Sequence, residues 1–243
     1  MKPAAGILVI LAAILPAAAP QNAEEAKIER HGDSAVISVH TFRPLEAIAD
    51  ELGSEFGIPV SAEDPVFQFR GDMMDISREV PRLRPGTLAP ARWGFQITFP
   101  LKPDGSPRDP QELLTGIVAE ANRQSPFGWR LDKAEGVYFF VPTRTHDANG
   151  QSVAATALLD RPVTIPPGIR RINESAELMA NDLSKQTGLR VSCCQGPIGG
   201  YPWGMEQMPF SADHEPARSV LLRLGLRRWH ASCDLQFCFI NKQ

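Results

Sequence analysis

Leu45, Ile48, Ala49, Leu52 and Phe56 recur at the spacing of one helical face, with Pro44 suited to the first turn and Gly57 to the stop. The same stripe returns 131 positions later as Ala176, Met179, Ala180, Leu183 and Thr187, closed by Gly188. A second helix is predicted after Asp109, where an Asp cap, Pro110 and Glu112 precede the apolar set Leu113, Leu114, Ile117, Val118 and Ala121. Pro216 opens a shorter helix through Val220, Leu221 and Leu224. Period-two alternation predicts strands at 36–42, 58–61, 66–69, 93–99, 129–131 and 137–141, and again at 163–165, 189–193, 208–212, 229–233 and 237–241.

The chain therefore says the same thing twice. Residues 45–61 (LEAIADELGSEFGIPVS) align without a gap on 176–192 (AELMANDLSKQTGLRVS). Residues 129–140 (WRLDKAEGVYFF) align on 229–240 (WHASCDLQFCFI) at an offset of 100. Each repeat reads strand–helix–strand–strand–helix–hairpin, which predicts an α+β fold of two tandem small two-layer modules. The first module is placed at 34–143 and the second at 162–243, joined by a polar linker at 144–161. The first carries a Pro-rich insertion at 78–108, expected as surface loop around the 93–99 strand because Pro removes ladder donors.

The first 23 residues place one Lys before an apolar run and then small residues, the order of a secretory signal peptide. The run is shorter than the ~20 residues a membrane span needs. No later stretch is apolar enough, so no transmembrane span is expected once the signal is cleaved. A periplasmic or secreted location follows as the expectation. The chain holds 25 Lys and Arg against 28 Asp and Glu, a formal charge of −3, and loss of Lys2 makes it one unit more negative. That balance argues against nucleic acid as a partner. Arg218, Arg223, Arg227 and Arg228 cluster on the last helix and its exit, where a solvated face near a helix C-terminus is expected.

The pattern resembles the secretin and TonB N-terminal short domain, whose first helix has the form P-L-x-x-A-L-x-x-L-x-x-x-T-G-L-x-V. Pro44, Leu45, Ile48, Leu52, Gly57, Ile58 and Val60 fit that form, as do Leu178, Leu183, Thr187, Gly188, Leu189 and Val191. The family's second helix, A-L-x-x-L-L-x-G-T-G-L, is matched by Ala217, Val220, Leu221, Leu224, Gly225 and Leu226. The resemblance implies docking to secretion or TonB-linked uptake machinery. The family module leads a larger pore or receptor, and no such body follows here; the first repeat also lacks G-T-G-L after its second helix.

All four cysteines, Cys193, Cys194, Cys233 and Cys238, lie in the second repeat, and an even count in an exported chain predicts disulfides. Cys233 and Cys238 flank a hairpin tip and can bridge each other or reach back to the 193/194 strand. The second pairing is the expected one, closing loops of about 40 residues and contributing roughly 3–4 kcal/mol. The rival is a metal site of His230, Cys233, Cys238 and one of Cys193 or Cys194, at a spacing unlike a zinc knuckle. His214 lies between Asp213 and Glu215 at an expected helix start, and His40 on a strand surface. G-x-S-x-G, H-E-x-x-H and a phosphate-cradling loop are all missing from the sequence, so neither catalytic residues nor a cofactor is assigned. Tyr201, Trp203 and Met205, in the Gly-rich stretch 196–204 and just beyond it, are candidate partner contacts.

Together these readings predict an exported, non-enzymatic protein-binding module of the bacterial cell envelope. Its protein partner is met at an open sheet edge or at the 196–208 loop. A small-ligand-binding or structural envelope protein is the alternative, and a hydrolase working between the modules a further one.

Overall fold

The computed structural model describes residues 26–77, 79, 84–193, 207–227, 229–233, 235 and 237–242. The chain is an α+β protein. The hairpin β1 (Lys27–His31) and β2 (Ser34–Thr41) leads into α1 (Pro44–Phe56) and β3 (Val60–Glu63). A 3-10 turn at Arg70–Asp72 follows, then a small hairpin of β4 (Met73–Asp75) and β5 (Leu88–Pro90). After it come β6 (Trp93–Pro100), α2 (Pro110–Gln124) and the hairpin β7 (Gly128–Ala134) and β8 (Val137–His146). β9 (Ser152–Ala154) and a 3-10 turn at Leu158–Asp160 connect to the second repeat. That repeat comprises β10 (Pro162–Arg171), α3 (Ile172–Thr187), β11 (Arg190–Cys193), β12 (Gln207–Pro216), α4 (Ala217–Arg223), β13 (Trp229–Cys233) and β14 (Phe237–Lys242).

Local chemistry sets the helix bounds. The Asp109 carboxylate accepts from the amides of Gln111 and Glu112, satisfying two donors that the first turn of α2 leaves open. α1 and α3 end on Gly57 and Gly188, whose φ values of 65° and 72° suit residues without a Cβ. Leu45, Ile48, Ala49 and Leu52 are buried, and so are their counterparts Ala176, Met179, Ala180 and Leu183. Phe56 and Thr187 are both half-buried.

The repeats agree strand by strand. In the first, β3 runs parallel to β8 with Val60 opposite Tyr138, and in the second β11 runs parallel to β14 with Val191 opposite Cys238. Within the hairpins Lys133 faces Tyr138 where Cys233 faces Cys238. Every one of these positions is related by the two sequence offsets. One sheet holds both trios, in the order β11-β14-β13-β3-β8-β7. β13 and β3 close it by pairing in parallel, His230 opposite Ala62 and Ala231 opposite Glu63. A single cluster of buried apolar side chains runs through both repeats. On their other side α1 and α2 pack on the antiparallel sheet β1-β2-β6, and α3 and α4 on the pair β10-β12.

Successive side chains on a strand point to opposite faces. Glu63 of β3 reaches Arg218 of α4 on one face. On the other, Asp50 and Glu46 of α1 reach His230 and Ser232 of β13. The two repeats thus place these helices on opposite faces of the common sheet. Strand directions also reverse between the trios, so a half-turn about an axis crossing the strands relates one repeat to the next.

Several elements depart from the sequence reading. The 66–69 stretch forms no strand; Phe67 is buried, but the backbone takes no ladder. β1, with its charged sequence KIERH, adds an unforeseen strand. Part of the Pro-rich insertion pairs as β4 and β5. The 144–161 stretch is built into the fold: β8 extends to His146, β9 pairs back onto it, and Leu158 and Leu159 are fully buried. His214 is no helix cap; it lies in β12 with φ 52°, where the register to β10 shifts, and Pro216 caps α4 instead. The expected signal peptide lies outside the described residues, as do Cys194, Tyr201, Trp203 and Met205.

Candidate functional site

The junction of the repeats is polar as well as apolar. The Ser61 hydroxyl accepts the Trp229 amide at 3.2 Å, the Ala62 amide donates to His230 Nδ1 at 3.2 Å, and the Asp64 amide donates to the Ala231 carbonyl at 2.8 Å. Asp64 also accepts from Arg43 Nε at 2.6 Å and from the Cys233 amide at 3.0 Å, while Arg43 Nη2 donates to the Cys233 carbonyl. On the opposite face Arg218 Nη2 lies 3.0 Å from Glu63 and 2.8 Å from Asp160, and Arg130 Nη2 lies 2.7 Å from Asp160. The Arg218 guanidinium sits above the rings of Phe139 and Trp229, which stack on each other. Arg218 is therefore buried, not part of a solvated face, because the second residue of α4 meets carboxylates of the first repeat and its connector.

Burial governs the charges here. It pushes the Glu63 carboxyl above its ordinary value, against the pull of Arg218 and the Leu159 amide. It does the same to Asp64, against Arg43. Asp160 is less buried; burial acts upward on it too, but the hydrogen bonds from Arg130 and Arg218 prevail and hold it below the carboxylate range. Deeper burial of Glu63, and a second arginine on Asp160, account for the contrast.

Both ends of the central sheet are closed by side chains of their own repeat. Asn122 of α2 accepts the Trp129 amide at 2.7 Å and donates to the Trp129 carbonyl at 2.9 Å. Ser184 of α3 accepts the Val191 amide at 2.9 Å, and its one hydroxyl proton is shared between the Ala180 carbonyl at 2.8 Å and the Val191 carbonyl at 3.3 Å. β7 and β11 end the sheet, and each has one outward amide already satisfied.

A third edge lies between the repeats. The Ala155 amide bonds to the Thr143 carbonyl, and Thr145 pairs with Val153, so Ser152 and Ala154 of β9 turn their backbone groups away from β8. An open cleft of about 520 Å³ adjoins β9, lined among others by Val153, Ala154, Arg161, Gln186, Leu189 and Leu235. Val153 is 39% exposed, rare among the large apolar side chains of this fold. The cleft draws on the first repeat, the connector, the end of α3 and the β13–β14 tip, and its volume falls in the range of ligand and peptide sites.

Cys233 and Cys238 form a disulfide across the last hairpin, their Cα atoms 4.1 Å apart. This overturns the expected link from the hairpin back to the 193/194 strand: the two residues are direct cross-strand partners, while β11 meets the far side of β14. Cys193 is also disulfide-bonded. The His230, Cys233, Cys238 ligand set is not assembled, since the cysteines are joined and the His230 ring holds the Ala62 amide and Asp50. In the first repeat the equivalent slot holds Lys133 and Tyr138, whose ammonium and hydroxyl lie 3.0 Å apart. His146 Nδ1 meets Asp72 at 2.8 Å beside Phe69 and Phe127, tying the 3-10 turn to the end of β8. Among the described residues no three His, Cys, Asp or Glu side chains are grouped to hold a metal, and no helix is long and apolar enough to cross a membrane.

Sequence reasoning missed Glu63, Asn122, Val153, Ser184 and the role of Arg218. A signal for two of them existed. Each cap stands seven residues before the strand residue it serves. At the same spacing the inner strands have Gly53 before Val60 and Leu222 before Trp229, neither able to make those bonds. Comparison with protein-family models, with curated proteins and with solved structures finds no match.

Proposed function

We propose that this chain is an exported, non-enzymatic protein-binding module of the bacterial cell envelope. It takes an extended segment of a partner protein in the cleft between its repeats. The observation that carries the reading is the outward backbone edge of β9, with Val153 exposed beside Leu189 and Leu235 in a cleft of about 520 Å³. An added strand gains main-chain hydrogen bonds from Ser152 and Ala154, and alternate side chains meet the apolar wall. Arg161 in the lining suits a partner with an acceptor beside an apolar core. The element order within each repeat supports the likeness to the secretin and TonB N-terminal short domain, and with it docking to secretion or uptake machinery.

The test places a photo-crosslinking residue at position 153 in the native host, with position 133 on β7 as control. Crosslinks to one envelope protein from 153 but not 133, lost on Ala154→Pro, are expected, because Pro removes an outward donor. Equal yields with and without Ala154→Pro would place the partner elsewhere.

A further inference from the structure

The internal junction is a worked example of how one repeat adds to another. β13 has β7 as its counterpart and β3 has β11, and these two strands are the ends of the sheet. A second copy of this chain that laid its β11 beside β7 would reproduce the β13–β3 pairing, parallel and related by the same half-turn. Such a contact joins unlike surfaces, so it leaves a free edge at each end and propagates without closing.

The side chains at the two kinds of edge differ in the way that matters. At the junction the Trp229 amide crosses to Ser61, and the position seven residues before Trp229 is a buried leucine. At the outer end the same amide, that of Trp129, is taken by Asn122 within its own repeat. Ser184 takes the Val191 amide, whereas Val60 has only Gly53 at that spacing. An edge amide that is already satisfied has no proton to give an incoming strand.

We propose that Asn122 and Ser184 are edge caps that keep a second copy of this chain from joining the sheet as its own two repeats are joined. The partner they exclude is specified by the fold: β11 of one molecule against β7 of another, with Cys193 of one opposite Arg130 of the other in place of Ala62 opposite His230. This is independent of what the cleft binds.

The test uses the full chain and the residues of the inner edges as replacements, Asn122→Leu and Ser184→Gly, read by sedimentation velocity with circular dichroism for folding. Wild type is expected as a monomer. Each single variant opens one edge and still meets a capped one, so each stays monomeric alone. An equimolar mixture of the two single variants forms a 1:1 dimer and stops there. The double variant forms a concentration-dependent ladder of oligomers, and adding Leu131→Pro on β7 returns it to monomer. A folded double variant that stays monomeric at about 100 µM overturns the proposal, and so does a wild type that already forms the ladder. If Asn122→Leu does not fold, Asn122→Ala removes the same two bonds without added bulk and is held to the same outcomes.

Discussion

Replacing Arg218 by methionine is expected to be among the most damaging single changes in the protein. Methionine keeps most of the volume above Phe139 and Trp229 but removes the cation paired with Glu63, whose side chain is fully buried. Among the described residues the carboxylate then retains the Leu159 amide, at 3.0 Å, as its hydrogen-bond donor. Removing one member of a buried ion pair costs about 3–5 kcal/mol, because the other charge stays desolvated. For a chain of this size each kcal/mol shifts Tm by about 2–4 °C, so a fall of roughly 6–20 °C is expected at neutral pH. Arg218 Nη1 has no hydrogen-bond partner among the described residues, so the arginine is itself imperfectly satisfied. Adding Glu63→Gln should therefore restore most of the loss: it removes the stranded charge and keeps an acceptor for Leu159. The assay is thermal unfolding by circular dichroism of wild type, Arg218→Met and the double variant. A single variant less than about 1 kcal/mol below wild type, or a double variant no better than the single, would refute the reasoning.

Glu63→Gln in the wild-type background tests the titration itself. Because the folded-state pKa of Glu63 is raised, the folded protein holds that proton more tightly than the unfolded chain. Stability from this group is present below the ordinary carboxylate value of 4.5 and falls as pH rises towards the folded value. The glutamine variant lacks that fall, so its Tm relative to wild type should increase with pH across this window; a flat or decreasing difference contradicts the assignment. The Cys233–Cys238 bridge spans a sequence separation of only 5. Replacing both by alanine should cost about 2 kcal/mol on loop-entropy grounds, read by denaturant unfolding, and a loss above about 4 kcal/mol would mean that the bridge does more than close the hairpin.

What the sequence made legible was whatever depends on neighbours along the chain. The stripe from Leu45 to Leu52, its repeat from Ala176 to Leu183, the Asp109 cap and the two glycine stops all formed in place. The repeat also set the hairpin registers, since the same offsets relate every paired position. Which edge meets which was not legible, because β3 and β13 are short strands 168 residues apart and no period in either names the other. Arg218 read as solvated for the same reason: its partners Glu63 and Asp160 lie in other segments. The 66–69 alternation reflects Phe67 turning inward from an irregular segment, a pattern that a strand and a well-anchored loop share. The pair Leu158 and Leu159 was the overlooked sign that the polar connector is anchored.

Because β3 sits in the middle of the sheet and its neighbour β13 begins only at Trp229, synthesis delivers the two halves of that pairing 168 residues apart. Until β13 has been made, the flank of β3 that it covers stays bare. Contacts of such long sequence separation close slowly, and exposed strand flanks invite the wrong neighbour in the interval. The molecule's most vulnerable interval therefore lies between the making of β3 and the making of β13, and a binding protein that shields β3 in that interval would have the largest effect on how much of it survives to fold.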